Sequence, residues 1–453
     1  MRVFCDAHPL TTTPWSIQDH SGLRILSLST LPLTQTCQHT NNVSPLAAVF
    51  WNCSDEYRKW TFFLRDDMYW EDGTPITGFD YQRGFNFLAG NPSHRFRSLL
   101  SDLQGYGAAI NSKLTGLKAQ KHSISFQLRN SNRLWPLLLS FSGASPKHPD
   151  NPNAESGVYK FVKKSKKYFH LKLRGNFFKS INHPISDILF YFQTPSIDPF
   201  SINQWEQGII DMTWDTFFPY YKREKFHQEP VFQQSRPRIL TFLSPQGCAL
   251  APPIDLMHFL YEKIDRKKLS QKLNNCPTPL YGYCHQKLAP VPPVKPPPHK
   301  TILKVGYEAF FPNHEILMLL KEQLLPHGIF IEPIKVKYGN RPKSLHLRLE
   351  LLHNPFSDPF LMLRNELAQK QFHTNHPLEW KQFAKFLTLY QKNDDISQCK
   401  QLALKMDLIL IQQGRTIPLL ELPGFYLCKQ AIGYHDFQPG QHWSWTNNAT
   451  MVS

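Results

Sequence analysis

Trp60-Thr-Phe-Phe-Leu-Arg65-Asp-Asp-Met-Tyr-Trp70-Glu-Asp72-Gly73-Thr74-Pro75-Ile-Thr77-Gly-Phe-Asp80 is the stretch on which the reading of this chain turns. Its opening residues alternate large apolar side chains with smaller or polar ones, the period-two pattern of a strand with one buried face. Glu71 to Pro75 then collects turn formers, with Asp72-Gly73 supplying the bend. Thr77 stands where a helix N-cap belongs, and Asp80, three residues on, is placed to complete a capping box.

Working outward, residues 1–60 hold short apolar runs, Leu23 to Leu33 and Leu46 to Trp51, broken by Thr, Asn and Pro, which reads as strand and loop rather than helix. Leu117 to Leu128 alternates through His122-Ser-Ile-Ser-Phe-Gln-Leu128 as a further strand. Lys160 to Tyr168 and on to Arg174 alternates Lys with apolar residues, a solvated strand edge blunted by charge. Near residue 240 the texture changes. Arg238 to Leu243 is a short strand, Pro253 to Leu273 has helical spacing, and Ala289 to Pro298 is a stiff polyproline crossing. Thr301 to Gly306, Asn313 to Leu325 and Gly328 to Pro333 read as strand, helix and strand, one βαβ unit. The second half is therefore α/β, with Ser397 to Gln413 a further helix closed by Gly414.

The 453 residues predict two or three lobes at roughly 100–200 residues each. Lys and Arg number 51 against 35 Asp and Glu, a net charge of +16, yet the charges are dispersed and no nucleic-acid-binding signature accompanies them. No nucleic-acid partner is expected. No uncharged apolar run reaches the roughly 18 residues of a spanning helix. The eight Cys form no CxxC pair and read as free thiols. The tightest cluster, Cys276 with Cys284-His285, lacks a second ligand pair, so no metal site is expected. Neither GxSxG, HExxH, a P-loop nor an EF-hand loop occurs. Gly105-Tyr-Gly107 lacks the third glycine of a dinucleotide fingerprint and reads as a turn. Glu71-Asp72 and Asp394-Asp395 are adjacent residues in polar stretches, not acid/base dyads. No residue set asks for an enzyme, and no cofactor is implied. The N-terminus shows no apolar signal core or small-residue cleavage site, and Cys5 has no lipobox before it.

The stretch 60–80 resembles the signature of the family 5 extracytoplasmic solute-binding proteins, the dipeptide, oligopeptide and nickel receptors of ABC importers: a "W-T-F-x-L-R" strand, then "W-x-D-G-x-P-[IL]-T-x-x-D". Further marks follow in the family's order. They are Met1-Arg-Val-Phe with Pro9 and Pro14, Pro45 to Trp51, Leu114 to Lys118 with Ser125 to Leu128, and Gly157-Val-Tyr159. Gly208 to Asp211, Ile264-Asp265-Arg266, Leu324 to Ile331 and Ile417-Pro418-Leu419 complete the series.

The resemblance implies an α/β, two-lobed periplasmic-binding-protein-like fold of class II, peptide-receptor type, with a hinge and an extra subdomain in lobe I. Lobe I is expected over 1–240 plus 416–453, with the subdomain at about 20–155, and lobe II over 241–415. It further implies a non-catalytic, monomeric protein that captures a peptide or similar small solute between the lobes and delivers it to an ABC permease. The family is periplasmic or envelope-bound; the N-terminus leaves a cytoplasmic ligand sensor on the same fold, or a nickel- or haem-type receptor, as alternatives. In the family an acidic residue just before a "D-P" holds the peptide amine. Here His353 and Asn354 occupy that neighbourhood and Asp358 matches the "D-P", read equally as ligand group or loop cap. Arg348 and Arg341 are the candidates for a carboxylate clamp. Trp205, Trp214, Tyr220 and Tyr221 are read either as cleft lining or as core. Trp70, Asp72, Gly73, Pro75, Thr77 and Asp80 are assigned structural roles in the motif.

Overall fold

A computed structural model describes residues 1–5, 7–17, 19–36, 43–91, 97–107, 114–175, 185–192, 200–213, 232–246, 250–294, 296–297, 300–353, 359, 363–364 and 377–427. Along the first part of the chain run β1 (Arg2–Cys5), α1 (His20–Leu26), β2 (Thr34–Thr36), β3 (Val43–Pro45), β4 (Ala48–Ser54), β5 (Lys59–Leu64), α2 (Gly78–Gly90), β6 (Leu117–Gln120) and β7 (Ser123–Gln127). Then come α3 (Trp135–Leu138), β8 (Tyr159–Lys164), β9 (Tyr168–Leu173), β10 (Asp187–Phe192), α4 (Phe200–Glu206) and β11 (Met212–Thr213). The second part has β12 (Phe232–Pro245), α5 (Ile254–Lys263), α6 (Arg266–Lys272), β13 (Thr278–Pro279), β14 (Thr301–Glu308), α7 (Asn313–Leu324) and β15 (Ile329–Val336). It ends with β16 (Leu347–His353), α8 (Pro377–Lys392), α9 (Ile396–Gln412) and β17 (Ile417–Leu427).

The strand alternation read in 60–65 is met: Trp60, Phe62 and Leu64 of β5 are buried, and the residues between them are partly exposed. β5 is central in a sheet of order β4-β5-β7-β6, where Phe62 meets Phe126 edge-on at 5.7 Å and Trp135 closes over Phe126 at 5.5 Å. α2 lies on this sheet through Tyr81, Phe85 and Leu88. A β-carbon at Gly78 would collide with the carbonyl oxygens of Gln120 and Ser123, so only glycine admits this approach.

A second sheet, β11-β1-β10-β9-β8, has the basic strand β8 at its edge, with Lys163 and Lys164 exposed. Both sheets share one large core that runs from Val3 to Met212 and takes in Trp380, Phe383, Leu387 and Tyr390 of α8. The third sheet, β13-β17-β12-β16-β14-β15, carries a separate core in which α7 buries Ile316, Leu317, Leu320 and Leu324 beside parallel β14 and β15, the expected βαβ unit.

Four features differ from expectation. Residues 20–26 are helical because the Asp19 carboxylate caps them, accepting from Gly22 N at 3.1 Å. The helix expected over 253–273 breaks at Ile264, where Asp265 caps α6 by accepting from Lys268 N at 2.9 Å. The strand 417–427, expected with the first lobe, is hydrogen-bonded along β12 in the third sheet, because Ile417, Leu419, Leu420 and Leu422 bury in that core. The helices 377–412, expected in the second lobe, pack one face on the first core. A buried network fixes them there: Asp102 Oδ2 accepts from Asn132 Nδ2, Gln391 Nε2 and Arg364 Nη1 at 2.8–2.9 Å.

Candidate functional site

The cores are joined where chain segments cross together. β11 ends in the first-core sheet at Thr213, fully buried, and its hydroxyl accepts from Leu427 N, the end of β17, at 2.9 Å. β17 in turn pairs β12 from Phe232 opposite Leu427. Two antiparallel segments at one seam make a hinge about which two packed bodies rotate.

Across the hinge, β14 lies between β15 and β16 and is parallel to both, so the connections leaving β14 and β15 run to opposite sides. At such a reversal an open α/β sheet usually takes its ligand, in a crevice outside the carboxyl ends of the strands. Glu308 ends β14, Tyr338 to Arg341 follow β15, and Arg348 lies early in β16, opposite Gly306.

The charges here are paired internally. Arg348 is 4% exposed; its Nη2 donates to Glu308 Oε1 and its Nη1 to Asn340 O at 3.0 Å, and its Nε stands 3.9 Å from Glu350 Oε1. Glu308 Oε1 also accepts from Gly339 N at 2.8 Å. Burial raises the Glu308 carboxyl above its ordinary value, and Arg348 opposes that rise. Arg341, mostly exposed, reaches Glu350 Oε2 with one nitrogen at 3.3 Å.

The first core meets this crevice at one polar point. Asp19 is buried, accepting from Leu10 N and Gly22 N at 3.1 Å each, and its Oδ2 accepts from the Tyr338 hydroxyl at 3.1 Å. Burial pushes both the Asp19 carboxyl and the Tyr338 phenol upward, the latter further raised by Asp19. Beside them Gly339, at φ +74°, lies so close to Leu10 that a β-carbon there would overlap its side chain.

Of the residues singled out in the sequence, Arg348 and Arg341 come together at this crevice. His353 ends β16 opposite Ile239, and Trp205 lies in α4, half-buried against the second core. Asn354, Asp358, Trp214, Tyr220 and Tyr221 lie outside the described residues. The motif residues serve turn, cap and packing. Asp72 Oδ1 accepts from Thr74 N and Oγ1, and its Oδ2 meets His148 Nε2 at 3.2 Å. Gly73 turns at φ +87°, Pro75 bridges to Tyr69, and buried Trp70 meets the His148 ring at 5.1 Å. Asp80 Oδ2 accepts from Thr77 N and Oγ1 at 2.7 Å each.

Sequence reasoning missed Asp19, Tyr338 and Glu308. Around Cys284-His285, the buried Asp407 carboxylate accepts from the backbone N–H groups of Tyr283, Cys284 and His285 and meets His285 Nδ1 at 2.8 Å. Among the described residues no group of three His, Cys, Asp or Glu could hold a metal ion.

Residues 42–213 match the family model described as bacterial extracellular solute-binding proteins, family 5 middle. No curated protein matches the chain. The murein tripeptide binding protein MppA of Escherichia coli superposes with a TM-score of 0.82 at 15% identity, covering 97% of this chain and 96% of that one. OppA of Haemophilus influenzae in complex with RPPGFSPFR gives 0.82 at 15% identity with the same coverage. An unliganded open form of the periplasmic MppA gives 0.64 at 15% identity, over 96% of this chain and 94% of that one. The two-lobed periplasmic-binding-protein-like fold is thus the fold of this chain, and the family read from residues 60–80 is the one whose model matches.

Proposed function

We propose that this chain, which carries the middle region of the family 5 extracellular solute-binding proteins, is the non-catalytic receptor of a peptide-type ABC importer. It works outside the cytoplasmic membrane as a monomer, closes its lobes over a peptide or similar small solute, and hands it to a membrane permease. The observation that carries this reading is the reversal of strand order at β14, at whose carboxyl end Tyr338 meets Asp19 of the first core, with paired segments crossing between the cores. The higher TM-score against the peptide complex than against the open form supports reading the lobes as closed.

Within that crevice the internal pairing of Arg348 favours Arg341 as the cation that meets a ligand carboxylate, because most of its donors face solvent. His353, Asn354 and Asp358 remain the proposed group at the amine end. With His353 and Asn354 standing where the resemblance expects an acid, the site favours ligands whose cationic end is weak or absent over free α-amino peptides, since burying an ammonium is costly where its carboxylate is lost.

A thermal-shift screen against di- to pentapeptides, N-blocked peptides, free amino acids, nickel chelates and haem tests the reading. A binder held at a hundredfold excess over its Kd stabilises by about 2.7 kcal/mol. A peptide that raises the melting point in wild type and fails to do so in Arg341→Ala supports it. A chelate or haem shift with no peptide shift overturns the peptide assignment.

A further inference from the structure

The contact between Asp19 and Tyr338 joins residues 319 apart, one from each core, with Asp19 buried and Tyr338 half-buried. The carboxylate is held from behind by Leu10 N and Gly22 N, so it is fixed before Tyr338 arrives. The phenol is fixed too: its ring meets Phe310 edge-on at 5.7 Å, and the next residue, Gly339, is tied to Glu308 through its N–H. Opening the lobes would separate two preorganised halves of a charge-assisted hydrogen bond.

We propose that Asp19 and Tyr338 form a closing latch, positioning residues that hold the lobes together with the chain's own groups and populate the closed form before any ligand enters. The inference rests on the receptor reading above and adds to it. A ligand that binds only the closed form gains apparent affinity in proportion to the fraction already closed. The latch thus contributes to capture without touching the solute. Affinity then depends less on contacts to any particular side chain of the ligand.

Small-angle X-ray scattering of the ligand-free full chain, compared with the curve calculated from this structure, reads the latch without a ligand. The wild type is expected to contain a large closed fraction. Tyr338→Phe, which keeps the ring and deletes the hydroxyl, is expected to shift the closed-to-open ratio toward open by roughly 10- to 100-fold, the range for a hydrogen bond to a charged group. Asp19→Asn, which keeps an oxygen acceptor and removes the charge, is expected to give a smaller shift in the same direction. A wild type that is already open, or a Tyr338→Phe curve superimposable on a closed wild type, overturns the latch. Should Tyr338→Phe not fold, Asp19→Asn decides, expansion supporting and an unchanged curve overturning. The receptor reading stands or falls on the ligand screen, so the two fail separately.

Discussion

Replacing Arg348 by Met separates two roles that this residue could hold. Its guanidinium is 4% exposed and faces Glu308 and Glu350, whose side chains are 13% and 15% exposed. Met keeps most of the aliphatic stem and removes the cation. Two buried carboxylates then face each other, and Asn340 O loses its donor. Removing one partner of a buried pair costs about 3–5 kcal/mol, largely because the other charge is stranded. For a lobe of roughly 150–250 residues that corresponds to a fall in melting temperature of roughly 6–20 °C. Glu308→Gln in the same chain removes the stranded charge and is expected to restore much of the loss, so the double variant melts above Arg348→Met. Calorimetry of the wild type, the two single variants and the double variant measures the coupling. A residue that serves as a ligand clamp behaves oppositely: Arg348→Met melts with the wild type while ligand affinity collapses. An unchanged melting temperature refutes the assignment of Arg348 to the fold.

Glu155 is expected to give the chain a pH-dependent stability. Burial raises its carboxyl from 4.5 to about 7, so the native state holds the proton more tightly than the unfolded chain. Its contribution is fully present below pH 4.5 and is lost as pH rises to about 7, an upper limit of roughly 3 kcal/mol. Chemical denaturation of Glu155→Gln across this range is expected to show a flatter profile than wild type, and parallel profiles refute the cause. Gly282→Ala places a methyl against the Asp407 carboxylate, which three backbone N–H groups hold fixed, and is expected to cost about 1–3 kcal/mol by denaturant titration. Asp80→Ala removes the acceptor for Thr77 N and Oγ1 at the start of α2 and is expected to cost about 1 kcal/mol in the same assay, with no change in ligand affinity.

What the sequence made legible was what is decided locally. Alternation in 60–64, the Asp72-Gly73 turn and the Thr77–Asp80 pairing each involve residues within three or four positions, so the pattern and its cause sit in one window. The βαβ unit at 301–336 was legible for the same reason. The crevice was not. Asp19 finds Tyr338 across 319 residues, and Glu308 finds Arg348 across 40, distances over which periodicity carries no information. One signal was available: Arg348 and Glu350 stand two apart on a strand and so share a face, which already argues that the arginine has a carboxylate of its own. The signature 60–80 carries the resemblance because it records conformational demands of the first core, a turn, a cap and a ring packed on His148. None of those demands depends on the ligand. A motif of this kind can persist while the residues that meet a ligand change. Specificity in this chain is therefore to be sought at Arg341 and beyond the end of β16, and the energetics of closure at Asp19 and Tyr338.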